Sequence, residues 1–258
     1  MAPSRSDVLV CAGLDPSGGA GLIADVRVVA ELGARPVGVV TALTVQNTTG
    51  VSSAVPCDPE VIGSQLACLL TDVEVRAIKI GMIGSKDVAA AIADALQLTH
   101  APLVWDPIAA PSRGNVTYLY SYDMIAELLR PHLTIITPNA RELALLSGMP
   151  VTDQASAEVA GRAIAARLDT AVLVKGGHIE GDDCVDVLLH AGEREELRNV
   201  RIAGGDQVHG TGCALASALA TYLAGGLDLA QACLLAKQYV AARIMDPARP
   251  GRGAPAVV

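Results

Sequence analysis

Short apolar runs recur along the chain, separated by longer stretches with helical spacing. Runs this short and this apolar are typical of buried strands. The intervening stretches place apolar residues three and four positions apart, as in Leu22, Val26 and Val29, which predicts amphipathic helices. The predicted strands are Asp7–Ala12, Pro36–Leu43, Ala77–Ile80, Leu103–Trp105, Leu133–Ile136 and Ala171–Val174, and the predicted helices are Leu22–Leu32, Asp58–Leu70, Lys86–Leu98, Asp123–Leu129 and Asp153–Leu168.

The pattern changes after the sixth predicted strand. Two strand-like runs, Asp183–His190 and Glu196–Ile202, are separated only by Ala191–Glu195. That gap is too short for a crossover helix, so we expect an antiparallel hairpin at the edge of the sheet. Two helices, Cys213–Ala224 and Asp228–Met245, are predicted to follow.

The order of these elements predicts an α/β fold. Strands that alternate with helices form a mostly parallel sheet with helices on both faces. No domain-sized linker and no internal repeat interrupts residues 1–258, so a single domain is expected. The tail, Asp246–Val258, is rich in Pro, Gly and Arg and is expected to be loose.

Composition narrows the class of protein. The formal net charge is −8, which argues against a nucleic-acid or anionic-membrane partner. The six cysteines show no CxxC spacing, as expected of reduced thiols in a cytoplasmic protein. Met1–Asp7 lacks the apolar core of a signal peptide. The most apolar region, Cys213–Ala236, is interrupted by glycine and aspartate and is better explained by a buried helix pair than by a membrane span.

A glycine turn, His209-Gly210-Thr211-Gly212-Cys213, leads into the first of the two C-terminal helices. Unpaired N–H groups and the helix dipole make such a junction suitable for binding phosphate. Cys213 lies at the mouth of this site, where a thiol is expected to have a lowered pKa and can act as a base or nucleophile. An ordinary loop with a buried cysteine is the alternative.

Polar residues cluster where the predicted strands end. A polar loop, Thr44–Gly50, follows the second strand, and Gln46 and Asn47 in it offer donors and acceptors suited to a heterocycle. Turn chemistry is the alternative and explains Asn47 better than Gln46. Asn139 and Glu142 fit either a helix capping box or a metal–phosphate site. Lys175 fits either a solvated turn or a phosphate contact. In an open α/β sheet, ligands bind at this edge.

Two further residues leave alternatives open. Asp25 lies at the border of the apolar face of its helix, where a carboxylate is either solvated or needs a partner. Met82 is either a core residue or a pliable wall for a planar ligand. A dinucleotide site is disfavoured, because Gly19-Ala20-Gly21 begins too far from the first strand and no acidic residue ends the second. A standard P-loop is absent.

Six motifs occur in register across almost the whole chain. They resemble the hydroxymethylpyrimidine and phosphomethylpyrimidine kinases of thiamine biosynthesis, members of the ribokinase-like superfamily. That resemblance implies a three-layer α-β-α sandwich. The motifs are Ala12–Gly21 (AGLDPSGGAG), Ala42–Asn47 (ALTVQN), Lys79–Met82 (KIGM), Thr137–Glu142 (TPNARE), Lys175–His178 (KGGH) and His209–Cys213 (HGTGC).

The resemblance implies ATP-dependent phosphorylation of the pyrimidine alcohol and then of its monophosphate. It places a substrate group around the pyrimidine, a nucleotide group at Mg-ATP and an anion hole that includes Cys213. The Cys213 thiol either deprotonates the substrate as a catalytic base or only lines the hole. Mg²⁺ would lie near Asp106 and Glu142, and a monovalent cation and a homodimer are further features of the superfamily. The substrate group is Gly13, Asp25, Gln46 and Met82; the nucleotide group is Asp106, Asn139, Glu142, Lys175 and Thr211; the anion hole is Gly210, Gly212 and Cys213.

Two segments depart from the family pattern. The family lysine is missing from Ile108–Gly114, where Arg113 is the candidate substitute, and Val258 stands where a histidine is usual. These departures put the second phosphorylation in question. Two other functions stay open: a pyridoxine or pyridoxal kinase of the same superfamily, and a catalytically silent pyrimidine-binding protein.

Overall fold

The structure is a computed structural model that describes residues 6–108, 121–177 and 183–257. Within these residues, all strands belong to one nine-stranded sheet of order β3-β2-β1-β4-β5-β6-β7-β8-β9. The strands are Asp7–Leu14 (β1), Arg35–Asn47 (β2), Gly50–Pro56 (β3), Val75–Ile80 (β4), Leu103–Trp105 (β5), Leu133–Ile136 (β6), Ala171–Val174 (β7), Asp183–His190 (β8) and Glu193–Val200 (β9).

The centre of the sheet is parallel and both edges are antiparallel. Strands β2, β1, β4, β5, β6 and β7 pair in parallel. The predicted hairpin of β8 and β9 closes one edge, although β9 begins earlier and ends earlier than expected. The direction of strand order reverses at β1, between β2 and β4. Such a switch point opens a crevice at the carboxyl ends of the strands.

Helices cover both faces of the sheet, as predicted. One apolar cluster contains Val28 together with residues of α7 and α8, and the other contains residues of α2 to α6. The mostly parallel three-layer α/β architecture is therefore confirmed. The helices are Gly21–Glu31 (α1), Pro59–Asp72 (α2), Lys86–Leu96 (α3), Tyr122–Leu129 (α4), Ala140–Ser147 (α5), Gln154–Leu168 (α6), Thr211–Ala224 (α7) and Leu229–Met245 (α8).

The prediction of a polar loop at residues 44–50 is wrong. Strand β2 continues to Asn47, and β3 folds back on it, pairing Thr44 with Ala54. The turn is stabilised by the Asn47 side chain, which accepts hydrogen bonds from the N–H and hydroxyl of Thr49. β-branched residues such as Thr44 and Val45 favour strands, and the antiparallel partner supplies the main-chain bonds. We call residues 43–56, which are the end of β2, the turn and β3, the flap.

The tail is not loose. Ala254 donates its N–H to the carbonyl of Thr48 on the flap, and Ala256 is bridged to both His209 and Ala248. Ala256 and Val257 are almost fully buried. The glycines that suggested disorder instead permit close approach, since a Cβ at Gly253 would collide with the carbonyl oxygen of Thr48. The tail therefore closes one side of the site beside the flap.

Candidate active site

A cavity of about 1090 Å³ opens at the carboxyl edge of the sheet. Its walls come from the ends of the parallel strands, the flap, the turn before α7 and one side of α8. The predicted site residues, all within the described part of the chain, line this cavity with the exception of Asp25. Those in the lining are Gly13, Gln46, Met82, Asp106, Asn139, Glu142, Lys175, Gly210, Thr211, Gly212 and Cys213.

The turn before α7 has the geometry of an anion site. Gly210 is the N-cap residue, with φ +83°, and no side chain caps the helix. A Cβ at this position would collide with the carbonyl oxygen of Gly19, so glycine is required on both counts. The first intrahelical bond runs from the N–H of Ala214 to the carbonyl of Gly210. The preceding amides of the first turn are therefore available to an anionic group.

Lys175 lies opposite that helix terminus, within a cluster of carboxylates. Its ammonium is 2.9 Å from Asp106 Oδ1 and 3.7 Å from Glu142 Oε2, and its side chain is 13% exposed. Burial lowers the pKa of Lys175, but the two carboxylates outweigh that effect and raise the pKa above its ordinary value. Lys175 is thus a fixed cation that faces the cavity.

Asn139 and Glu142 form the capping box of α5. Asn139 Oδ1 accepts from the N–H of Glu142 at 3.0 Å, and Glu142 Oε2 accepts from the N–H of Asn139 at 2.8 Å. The capping prediction is therefore confirmed. Because both residues also line the cavity, the cap fixes a carboxylate beside Lys175. The two alternatives drawn from the sequence are compatible in one structure.

Asp25 has a partner other than the predicted pyrimidine ring. Its carboxylate accepts from Lys79 Nζ at 2.6 Å and from Ser217 Oγ at 2.8 Å, and the Asp25 and Lys79 side chains are fully buried. Burial lowers the pKa of Lys79, but the adjacent Asp25 carboxylate more than reverses this, so the lysine remains charged. A charged residue inside the apolar strand β4 was the sequence signal for this ion pair.

The predicted activation of Cys213 is also corrected. Burial raises the pKa of its thiol to about 12, even though the charge of Lys79 acts in the opposite direction. Exclusion from water disfavours the thiolate more than the helix terminus and the nearby lysine favour it. Cys213 is therefore a neutral thiol at physiological pH, which fits a residue that lines the anion site.

The other half of the cavity is built around Gln46. Its side chain lies 3.2 Å from Thr44 Oγ1 and 3.3 Å from His209 Nε2. Met82 and Gly13 form the wall nearby, and a Cβ at Gly13 would come within 2.9 Å of Met82 Sδ. A planar heterocycle would find one amide and an apolar wall here.

The model of one protein family, described as phosphomethylpyrimidine kinase, matches residues 15–257. The chain belongs to the phosphomethylpyrimidine kinase family. It is 37% identical over 238 residues to the hydroxymethylpyrimidine/phosphomethylpyrimidine kinase of Streptomyces coelicolor, covering 92% of this chain and 88% of that one. The predicted resemblance is thereby confirmed.

Solved structures agree with the family assignment. A crystal structure of phosphomethylpyrimidine kinase from Clostridium difficile superposes with a TM-score of 0.79 at 30% identity, covering 93% of this chain and 100% of that one. The pyridoxal kinase of Staphylococcus aureus in complex with ADP gives 0.89 at 26% identity, covering 98% and 93%. Structural relatives of this phosphomethylpyrimidine kinase family member thus include an enzyme that binds an adenine nucleotide.

The sequence does not predict a second lobe of the cavity. It is lined by the loop 201–208, by β8 and by α8. There Lys237 pairs with Asp186 at 2.8 Å, and Asp186 also accepts from the N–H of Gly176 at 2.8 Å. This pair links α8 to the loop that carries Lys175. A lysine within the apolar run of α8 was the available signal for it.

Two sequence expectations concern residues outside the described ones. Arg113, the candidate substitute for the family lysine, and the terminal Val258 belong to this group. Among the described residues, no helix has both the length and the apolar character that crossing a membrane requires.

Proposed function

We propose that the protein transfers the γ-phosphoryl group of ATP to the hydroxymethyl group of 4-amino-5-hydroxymethyl-2-methylpyrimidine. A second transfer then converts the monophosphate to the diphosphate, as part of thiamine biosynthesis. The observation that carries the proposal is that one cavity joins a heterocycle wall, at Gln46 and Met82, to a phosphate site at Lys175 and the start of α7. A kinase must hold its acceptor and its phosphoryl donor in this way.

In this proposal Gln46 binds the polar edge of the pyrimidine. A carboxamide offers a carbonyl to the 4-amino group and an N–H to the neighbouring ring nitrogen. Met82 and Gly13 pack against the ring. Asp25 has no part in ring binding, because its carboxylate is buried against Lys79 and Ser217.

The phosphate groups would contact Lys175 and the first turn of α7. The amides of Thr211, Gly212 and Cys213 point their partial positive charge at the transferring group, while Lys175 neutralises its negative charge. A Cβ at Gly212 would lie 3.3 Å from Lys175 Nζ and 3.5 Å from Asp106 Oδ2. Glycine at this position therefore leaves the lysine and the carboxylate open to the ligand.

The residues present fit a Mg²⁺ ion bound together with a nucleotide. Among the described residues, no group of three or more His, Cys, Asp or Glu side chains is spaced to hold a metal by itself. Mg²⁺ typically binds through one or two carboxylates plus phosphate oxygens and water. Asp106 and Glu142 can supply the carboxylates. When bound, the ion would neutralise charge on the phosphates.

Phosphorus NMR of the purified protein with Mg-ATP and the pyrimidine, and with pyridoxine in a parallel sample, tests the function. We expect a pyrimidine monophosphate that later becomes the diphosphate. Arrest at the monophosphate would limit the function to the first step. Phosphorylation of pyridoxine alone would assign the protein to vitamin B6 metabolism. The structural likeness to a pyridoxal kinase is the observation that favours this second function. Binding without any product would favour a pyrimidine-binding protein.

We further propose that the protein acts in the cytoplasm as a homodimer. All six cysteines are free, as expected in a reducing compartment. The flap exposes Leu43, Val45 and Val55, an apolar face that a second copy can cover. Light scattering after gel filtration, with Val45→Lys as the matched variant, tests the dimer.

A further inference from the structure

The Gln46 side chain ends between two polar residues, Thr44 on the flap and His209 on the turn before α7. In the structure the carboxamide Oε1 lies 3.2 Å from Thr44 Oγ1, and its Nε2 lies 3.3 Å from His209 Nε2. The oxygen and the NH₂ group of a carboxamide have nearly the same shape, so the partners determine which end is which.

The Thr44 hydroxyl determines the first end. Its oxygen lies 2.7 Å from the main-chain carbonyl of Leu14, which can only accept a hydrogen bond. A hydroxyl has a single proton, and that proton is therefore committed to Leu14. Towards Gln46 the Thr44 oxygen can only accept, so hydrogen bonding favours the NH₂ of the carboxamide at this end, the reverse of the placement above.

His209 determines the second end. If the NH₂ faces Thr44, the carbonyl oxygen faces His209 Nε2, and that nitrogen must carry a proton. The same nitrogen is 3.5 Å from Asp15 Oδ2. Burial raises the pKa of Asp15, but hydrogen bonds from His209 and Ser17 outweigh it and hold the pKa below its ordinary value. Asp15 is therefore an ionised acceptor, which favours a proton on His209 Nε2. In the orientation set by Thr44 this proton is shared between the Gln46 carbonyl and Asp15.

Asp15 is itself held rigidly. Its two oxygens accept from the N–H and hydroxyl of Ser17 at 2.8 and 2.7 Å and from the N–H of Ala20 at 3.0 Å. The chain of donors and acceptors from Leu14 through Thr44, Gln46 and His209 to Asp15 is thus satisfied in one orientation of the carboxamide. The reverse orientation places an NH₂ against the Nε2–H of His209 and a carbonyl against the Thr44 oxygen.

We propose that Thr44 and His209 are positioning residues that fix the orientation of the Gln46 carboxamide and thereby select a ring with an amino group beside a ring nitrogen. The inference rests on the proposed function. The locked carboxamide keeps one N–H and one carbonyl lone pair for a ligand, in a fixed order. An aminopyrimidine presents the complementary order, an acceptor nitrogen beside a donor amino group. Pyridoxine has no donor on the atoms adjacent to its ring nitrogen.

Calorimetric titration of two ligands tests the selection. The ligands are 4-amino-5-hydroxymethyl-2-methylpyrimidine and its analogue without the amino group, and the proteins are wild type, Thr44→Val and Thr44→Ser. The isosteric valine removes the acceptor, whereas serine retains it. We expect Thr44→Val to reduce the affinity ratio of the two ligands about tenfold, the effect of one hydrogen bond, and Thr44→Ser to restore it. The same loss should appear in KM, with kcat within about twofold.

An unchanged ratio in Thr44→Val, or an equal loss for both ligands, would overturn the proposal, since a general disturbance of the flap affects both ligands alike. Wild-type protein that binds neither ligand would contradict the proposed function instead. In that case the orientation is still decided without ligand, from nuclear Overhauser contacts of the Gln46 amide protons. Strong contacts to Thr44 support the lock, and strong contacts to the His209 ring overturn it.

Discussion

Two lysine–aspartate pairs at the same edge of the sheet differ in their access to water. Lys79 and Asp25 are 2.6 Å apart and fully buried, with Ser217 completing the coordination of the carboxylate. Lys175 and Asp106 are 2.9 Å apart, and Lys175 is 13% exposed at the cavity. In the first pair Lys79 borders the cavity but exposes no side-chain surface, so the pair is closed to water. The second pair can exchange partners with a ligand.

The two pairs also differ in the number of carboxylates around the lysine. Lys79 has one carboxylate at bonding distance, so that pair is neutral and complete. Lys175 lies between two carboxylates, Asp106 and Glu142, which leaves excess negative charge for a bound cation. A buried pair specifies and stabilises structure, whereas an open one can contribute to chemistry. Substitutions should separate the two roles.

The largest effect is expected for Lys79→Met. The substitution leaves the Asp25 carboxylate buried without its cation, which typically destabilises a protein by about 3–5 kcal/mol. Urea unfolding followed by circular dichroism measures the change in the free energy of unfolding. The double variant Lys79→Met/Asp25→Asn removes both charges and should recover part of the loss. A loss below about 1 kcal/mol in the single variant would show that water reaches the pair, and the contrast with Lys175 would then fail.

Lys175→Met should show the opposite pattern. Removal of one donor to the transferring phosphoryl group typically costs about 10²–10³ in kcat. The free energy of unfolding should fall less than in Lys79→Met, because Lys175 and its two carboxylates line the cavity and water can enter the space that the lysine leaves. Steady-state kinetics and urea unfolding on the same samples test both parts. Lys86→Met, at an exposed position of α3, is the matched control, and equal kinetics in the two variants would refute the assignment.

Local patterns in the sequence predict much of this arrangement. The apolar runs define the central strands, because a strand covered on both faces must be apolar along its length. Asn139 and Glu142 three residues apart predict the cap of α5, since a capping box depends only on neighbouring residues. The turn at Gly210 is readable for the same reason. Each of these features is decided within a few residues.

What could not be predicted depends on distant contacts. The strand character of Thr44–Asn47 is decided by pairing with β3, and the order of the tail depends on Thr48. The partner of Asp25 is 54 residues away in the sequence. Burial of Cys213 likewise results from packing of α7, and it reverses the pKa shift expected from the helix terminus alone. Tertiary environment overrides the local expectation in each case.

A smaller effect is expected at Glu142, which serves both the cap and the open cluster. Glu142→Gln keeps an oxygen for the N–H of Asn139 but removes the charge 3.7 Å from Lys175. Activity should fall about tenfold at limiting Mg²⁺, corresponding to about 1.4 kcal/mol, and excess Mg²⁺ should restore most of it. Stability should be nearly unchanged, whereas Glu142→Ala should lose about 1 kcal/mol through the cap. Equal Mg²⁺ requirements in wild type and Glu142→Gln would contradict the metal role.

The smallest effect is expected at Cys213, whose pKa is shifted by the charges of Lys79, Asp25 and Asp106. A thiol with a pKa of about 12 remains protonated at physiological pH, so we expect Cys213 to line the anion site and not to act as the base. Cys213→Ser should retain kcat within about tenfold, and its pH–rate profile from pH 6 to 9 should match that of the wild type. A basic limb present in the wild type and absent from the variant would restore the thiol as a base.

Stability at high pH gives an independent measure of the same group. Because folding raises the pKa of Cys213 above its ordinary value of 9.0, the contribution of the neutral thiol is fully present below pH 9 and is lost as the pH rises towards 12. The free energy of unfolding of Cys213→Ala should therefore fall less steeply than that of the wild type across this range. Identical slopes would mean that the thiol is hydrated, which would place Cys213 with the open pair at Lys175 and not with the closed pair at Lys79.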